Sequence, residues 1–194
     1  MVHRKVTCLI LVVLATSPVV AGCEAEESEA QTPPVKVEDV DGVARGNLYL
    51  DGRAYIAGQP SEEAFAELAR RGVTVVVNTR TPAEYEDRDE VPFDEEEVVR
   101  ELGMTYVSIP LGGDDHPYQP AAVDRLAEAL SESDGRVLIH CLYGIRAVYL
   151  WLAYLVRNEE LSLEQAMARG EAMMLQPHPV GRLLDRPTAL VFVQ

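Results

Sequence analysis

The stretch Val137-Leu138-Ile139-His140-Cys141-Leu142-Tyr143-Gly144-Ile145-Arg146-Ala147 decides the fold of this chain. A short apolar run ends at a cysteine, turns through a glycine and continues into apolar residues 148–152, which predicts a strand, a turn and a helix. Cys141 would then lie where a buried strand meets a helix N-terminus. Unpaired backbone N–H groups and the helix dipole favour an anion or a thiolate at such a junction.

Arg146 adds a cation to the same short segment. Its planar guanidinium can bind an oxyanion through two parallel hydrogen bonds. A free cysteine beside an apolar strand is most often an inert core residue. The combination of Cys141 with His140, Gly144 and Arg146 favours instead a nucleophilic or anion-binding loop.

The first 22 residues have the layout of an export signal. Arg4 and Lys5 precede an apolar run that ends at Val20, and Val20-Ala21-Gly22-Cys23 resembles a bacterial lipobox. We expect cleavage before Cys23 and lipid modification of that residue, which would anchor an exported protein to a bacterial membrane, facing the periplasm or the exterior. The alternatives are a plain secretory signal and a transmembrane anchor, but the apolar run is short for a membrane span.

The chain is strongly acidic, with a formal net charge of −15. Removal of residues 1–22 takes away two basic residues and no acid, so the mature chain carries −17. This charge argues against a nucleic-acid partner, and an anionic substrate would need local cations. Cys141 is then the only free thiol, because Cys8 leaves with the signal and Cys23 carries lipid.

We expect three segments along the chain: a lipoprotein signal peptide over 1–22, an acidic flexible tether over 23–44 and a folded domain over 45–194. Within the domain, helical and strand patterns alternate, which predicts an α/β fold with a central, mostly parallel sheet and helices on both faces. Strands are expected over 48–50, 54–57, 73–77, 105–111 and 137–140, and helices over 61–71, 94–102, 120–130, 147–157 and 162–175.

Polar residues follow the central strand at Asn78-Thr79-Arg80, where a parallel sheet usually carries its crevice. We expect residues 81–93 to form a loop, and residues 112–117, the acid loop, to form a flexible polar segment. No metal site is expected, because the four histidines share no ligand spacing and Cys141 has no second thiol nearby.

The segment from about residue 55 to 155 resembles the cysteine-dependent phosphatase superfamily. It looks most like the bacterial beta-lactamase hydrolase-like, phosphatase-like family, near the dual-specificity phosphatases. The matching stretches are Ile56-Ala57-Gly58-Gln59-Pro60, Val77-Asn78-Thr79-Arg80, Ile109-Pro110-Leu111 and His140-Cys141 with Gly144 and Arg146.

The resemblance implies a three-layer phosphatase-like domain that cleaves phosphomonoesters of a small molecule or protein and needs no cofactor. Cys141 would form a phosphocysteine, Arg146 would bind the phosphate, and Asp114 or Asp115 would protonate the leaving group. The anion loop would consist of Leu142, Tyr143, Gly144, Ile145 and Arg146. Residues expected to line the crevice are Asn78, Arg80 and His140.

Two departures from the dual-specificity pattern leave alternatives open. Four residues separate Cys141 from Arg146 where those phosphatases have five, a spacing shared with rhodanese-like sulfurtransferases and with the phosphatase-like family itself. Ala147 replaces the usual Ser or Thr that would hydrogen-bond the thiolate. Sulfur transfer through a Cys141 persulfide, or a non-catalytic anion-binding domain, are therefore the competing hypotheses.

Overall fold

A computed structural model describes residues 32–173 and 180–185. The expected signal peptide, Cys23 and His178 lie outside the described residues. The strands are β1 (Val35–Lys36), β2 (Leu48–Asp51), β3 (Ala54–Ala57), β4 (Val73–Asn78), β5 (Thr105–Ser108) and β6 (Arg136–His140). The helices are α1 (Glu62–Arg70), α2 (Pro82–Glu86), α3 (Glu95–Glu101), α4 (Pro120–Ser131), α5 (Ile145–Asn158), α6 (Leu163–Ala172) and α7 (Val180–Leu183).

The six strands form one sheet in the order β1-β2-β3-β6-β4-β5. The pairs β1–β2 and β2–β3 are antiparallel, whereas β3, β6, β4 and β5 run parallel to one another. The expected α/β fold with a mostly parallel sheet is confirmed. Strand β6 lies inside the sheet, between β3 and β4. Cys141 follows the carboxyl end of β6, so both neighbouring strands flank that end.

Helices cover both faces of the sheet because the strands are apolar on both sides. Val75 and Ile139 face one core, which α4, α5, α6 and α7 complete. Val76 and Leu138 face the opposite core, which is completed by α1 and α3. Helix α5 is buried over nearly its whole first three turns, as its all-round apolar sequence predicted.

The folded domain begins earlier than residue 45. Val35 and Lys36 pair with β2, and the side chains of Val40 and Val43 are buried in the core beside α1. The expected tether boundary at residue 44 is therefore wrong for residues 35–44. These residues are polar in overall composition, but they add a strand to the edge of the sheet at β2 and two valines to the core.

Residues 81–93 are not a loop throughout, because α2 lies within them. Thr81 caps this helix, Pro82 occupies its first turn and Glu84 completes a capping box. Proline is well tolerated in a first helical turn, where its missing N–H costs nothing, so it marked a helix start here.

Some element ends also differ from expectation. Strand β5 ends at Ser108 and not at residue 111, and α5 begins at Ile145, two residues before the expected start. The last two residues of the anion loop, Ile145 and Arg146, thus belong to the first turn of α5. Within residues 32–173 and 180–185, no helix is long and apolar enough to cross a membrane. In the same residues, no group of three or more metal-ligating side chains is placed to hold an ion.

Candidate active site

Cys141 follows β6 directly and is 2% exposed. The chain turns at Gly144, whose φ of 92° lies in the left-handed region that favours glycine. This turn brings the backbone N–H of Gly144 to 3.1 Å from the Cys141 sulfur and makes Gly144 the N-cap of α5. The sulfur therefore lies at the N-terminus of a 14-residue helix, where donors and dipole favour negative charge.

The rest of the anion loop is tied to the sheet on one side and open on the other. The carbonyl of Leu142 accepts a hydrogen bond from the backbone of Gln59 at 3.1 Å. Tyr143 is 40% exposed, and the guanidinium of Arg45 lies 4.3 Å from the centre of its ring. An open groove of about 600 Å³ adjoins this side of the loop. Leu142 and Tyr143 line this groove, whereas Cys141 and Arg146 do not.

Arg146 is held by acceptors from two other segments. Its Nη1 and Nη2 donate to the carboxylate of Glu84 at 2.7 and 2.6 Å, and Nη1 also donates to the carbonyl of Leu111 at 2.9 Å. Burial lowers the pKa of Arg146, but Glu84 and Cys141 outweigh this effect and raise it above its ordinary value. Burial likewise raises the pKa of Glu84, yet hydrogen bonds from Arg146 and Thr81 lower it to about 2. The pair is therefore charged at any physiological pH.

The acid loop starts beside this ion pair. Leu111, which accepts from Arg146, immediately precedes Gly112, and the backbone N–H of Gly112 closes the loop on the carbonyl of His116 at 2.7 Å. Asp114 and Asp115 occupy the tip and are exposed. Neither carboxylate forms a hydrogen bond or ion pair with the part of the chain that the structure describes. Both carboxylates are thus open to solvent.

A buried network lies behind the anion loop and centres on Glu95, which is 0% exposed. Its carboxylate accepts hydrogen bonds from three side chains at 2.7 to 2.9 Å, and His140 Nε2 lies 3.1 Å away. The three donors are Gln59, Asn78 and Arg80. Burial raises the pKa of Glu95, but the neighbouring His140 and Arg80 side chains lower it to about 2.

The expectation that Asn78, Arg80 and His140 line an open crevice is wrong. Their exposed fractions are 1%, 2% and 0%, so substrate cannot reach them directly. A buried carboxylate needs several donors to compensate its lost hydration, and Glu95 draws these side chains inward. They support the strand ends from which the anion loop departs.

Three residues of the site were missed from the sequence: Glu84, Glu95 and Tyr118. Both glutamates lie in first turns of helices within an acidic chain, where such residues are usually solvated. The Thr81 and Glu84 pattern of a capping box could have indicated that Glu84 turns back towards Thr81. It could not have indicated that Arg146 is the ion-pair partner of Glu84. Tyr118 is half-buried against Tyr149 and lies within electrostatic range of Cys141 and Arg146.

Comparison with known proteins identifies one family. The model of the family described as "Beta-lactamase hydrolase-like protein, phosphatase-like domain" matches residues 51–155, just over half of the chain. The beta-lactamase hydrolase-like protein of Xylella fastidiosa (strain Temecula1) is 28% identical over 123 residues, which cover 63% of this chain and 28% of that protein. Dual specificity protein phosphatase 26 of Bos taurus is 32% identical over 122 residues, 59% of this chain and 53% of that protein.

Solved structures agree with this assignment at the level of the fold. A crystal structure of a candidate phosphatase from Shewanella putrefaciens CN-32 has a TM-score of 0.54 and 26% sequence identity, covering 68% of this chain and 81% of that one. The chain spans little more than a quarter of the Xylella protein and about half of the Bos taurus protein.

Proposed function

This chain belongs to the phosphatase-like domain family of beta-lactamase hydrolase-like proteins, as its sequence predicted, and from that membership we propose that it hydrolyses phosphomonoesters with Cys141 as nucleophile. The observation that carries the proposal is the arrangement at one sulfur atom. The Cys141 sulfur accepts the N–H of Gly144, and the guanidinium of Arg146 interacts with the same sulfur. Nucleophile, amide donor and cation thus converge where a phosphoryl group would bind.

The reaction would proceed in two displacements. First, the Cys141 thiolate attacks phosphorus, an S–P bond forms and the P–O bond to the leaving group breaks, while Asp114 or Asp115 gives its proton to the leaving oxygen. Water then attacks the phosphocysteine, the same carboxylate accepts a proton from that water, and the S–P bond breaks to release inorganic phosphate. Arg146 and the amides of the anion loop balance the charge on the non-bridging phosphoryl oxygens throughout.

The proposed substrate is a phosphorylated small molecule or protein. Nucleic acid is a poor candidate because the mature chain would carry a net charge of −17 and would be repelled by polyanions. The proposal extends to export and to anchoring in a bacterial membrane through a lipid on Cys23. Its support is the Val20-Ala21-Gly22-Cys23 junction behind a basic and apolar leader.

Hydrolysis of an aryl phosphate by the purified full chain tests the proposal. We expect release of inorganic phosphate by the unmodified chain and none by Cys141→Ser, since a hydroxyl at this position lacks the acidity of a thiol. Thiosulfate with cyanide serves as the parallel assay. Thiocyanate formation without phosphate release would contradict hydrolysis and support sulfur transfer. Inactivity in both assays would support the hypothesis of a non-catalytic anion-binding domain.

The same assay identifies the proton donor. Asp114→Asn and Asp115→Asn act as controls for each other, because they neutralise adjacent carboxylates in one loop. The variant that loses the acid should lower kcat by about 10²-fold or more for an alkyl phosphate, and much less for a p-nitrophenyl ester, whose leaving group needs no proton. Equal losses with both leaving groups in either variant would argue against a proton donor in the acid loop.

A further inference from the structure

Glu84 lies at the third position of α2, and its carboxylate is fixed from two sides. One side is Arg146, bound at 2.6 and 2.7 Å. The other is Thr81, whose backbone N–H and hydroxyl both donate to Oε2 at 2.8 Å. The backbone carbonyl of Glu84 also accepts from Arg80 at 3.2 Å, which ties the helix to the buried network. Glu84 is therefore far more constrained than an ordinary surface glutamate.

The contacts of Arg146 define which edge of its guanidinium is available. A guanidinium has five N–H donors in a rigid fork. Glu84 and the carbonyl of Leu111 take both N–H groups of Nη1 and one of Nη2. Apart from the interaction with Cys141, no acceptor in the described part of the chain engages Nε–H or the second N–H of Nη2, and these two groups lie side by side along one edge. That pair is the geometry that binds an oxyanion through two parallel hydrogen bonds.

We propose that Glu84 is a positioning residue that holds Arg146 with this edge turned towards the Cys141 sulfur, where the phosphoryl oxygens would lie. The proposal rests on the proposed function of the site. An arginine side chain has several freely rotating bonds, so without a fixed acceptor it would lose entropy each time it bound an anion. The loop depends on this arginine more than most, because Ala147 offers no hydroxyl to the thiolate.

Orientation and simple electrostatics predict opposite effects for Glu84. A carboxylate near a phosphate repels it, so electrostatics alone predicts that removal of the Glu84 charge strengthens phosphate binding. If Glu84 acts by orienting Arg146, removal of the same charge weakens phosphate binding. The sign of the change therefore distinguishes the two roles.

The test measures protection of Cys141 by inorganic phosphate against alkylation by iodoacetamide, followed by mass spectrometry of the peptide that contains Cys141. It uses the full chain, unmodified and with Glu84→Gln, and it needs no turnover. Glutamine at this position keeps the acceptor of the capping box but loses the bidentate carboxylate. Glu86→Ala is the matched control, because Glu86 lies exposed on the same helix and does not contact Arg146 in the described structure.

We expect Glu84→Gln to raise the half-protecting phosphate concentration by about tenfold or more, the loss typical of a misaligned charge-assisted hydrogen bond. Glu86→Ala should stay within about twofold of the unmodified chain. Thermal melting of each variant confirms that the fold is kept. Unchanged or tighter phosphate binding in Glu84→Gln overturns the proposal, as does a lack of protection in the unmodified chain.

Failure of the positioning role and failure of the proposed hydrolysis give different results. If phosphate protects Cys141 in a Glu84-dependent manner but no phosphomonoester is cleaved, Glu84 orients an anion site that is not a phosphatase. If the chain cleaves an aryl phosphate and Glu84→Gln has the same phosphate protection and the same KM, hydrolysis stands and the role of Glu84 is wrong.

Discussion

Glu95 is a fully buried carboxylate next to the site. A fully buried carboxylate loses its hydration, and that loss is several kcal/mol unless donors replace the water. Gln59, Asn78 and Arg80 supply these donors, and His140 approaches within 3.1 Å. Since His140 immediately precedes Cys141, the network fixes the backbone at the start of the anion loop.

The pKa of Glu95 leads to a prediction for stability at acid pH. It lies at about 2 in the folded chain, below the ordinary value of 4.5. The ionised form therefore stabilises the fold above about pH 4.5, and this contribution is lost as the pH falls from 4.5 towards 2. The loss corresponds to about 3 kcal/mol. We expect urea titrations to show a steeper fall in the free energy of unfolding over this window for the unmodified chain than for Glu95→Gln.

Glu96→Gln is the control for this prediction. Glu96 is adjacent in α3 but pairs with Arg100 at the surface, so its substitution should leave the acid dependence of the unmodified chain nearly intact. Parallel curves for the unmodified chain and Glu95→Gln would show that Glu95 does not titrate with the proposed shift.

At the scale of elements, α2 links two parts of the site, the anion loop and the start of α3. It has five residues and no buried side chain, so neither its length nor its packing makes it stable alone. Its capping box provides local stability, and Glu84 connects it to Arg146 in α5. Tyr85 connects it to Asp94 at the start of α3. Loss of the Thr81 cap should therefore weaken the hold of Glu84 on Arg146 in the anion loop.

Thr81→Ala and Ser162→Ala form a matched pair that tests this coupling. Each residue caps a helix in a complete capping box, but Ser162 caps α6, away from the site. We expect each substitution to lower the free energy of unfolding by about 1 kcal/mol. Only Thr81→Ala should weaken protection of Cys141 by phosphate, because only Thr81 also donates to Glu84. Equal protection in the two variants would mean that α2 does not transmit order to Arg146.

At the scale of the whole molecule, the sequence predicted the elements with strong local patterns. Apolar runs and turn residues predict strand β4, helix α5 and the junction at Cys141. Strand β1 could not be predicted in this way, because two residues carry no pattern and their pairing with β2 is a tertiary contact. Glu84 and Glu95 were missed for a similar reason. Among 32 acidic residues, only the partners brought by folding distinguish these two from solvated ones.

The proposed anchor concerns the molecule as a whole and has its own test. Cells that express the chain should retain it in the membrane fraction, because the proposed lipid on Cys23 would carry the several acyl chains that stable anchoring needs. The Cys23→Ser variant lacks the modified sulfur, so once its signal is removed it should appear in the soluble fraction. Fractionation followed by immunoblotting measures the distribution. A Cys23→Ser chain of mature length that stays with membranes would show that no lipid on Cys23 holds it.

The position of β1 has a consequence for how far an anchored domain could stand from its membrane. Strands β1 and β3 are both antiparallel to β2, so β1 runs in the same direction as β6. Val35 pairs with Leu50, and the register continues through Tyr55 to Leu138, so the chain joins the sheet level with the middle of β6. The twelve residues from Cys23 to Pro34 can span at most about 40 Å. An anchored domain would be held within that distance of the bilayer, so it would meet those phosphates, dissolved or carried by proteins, that come close to the membrane surface.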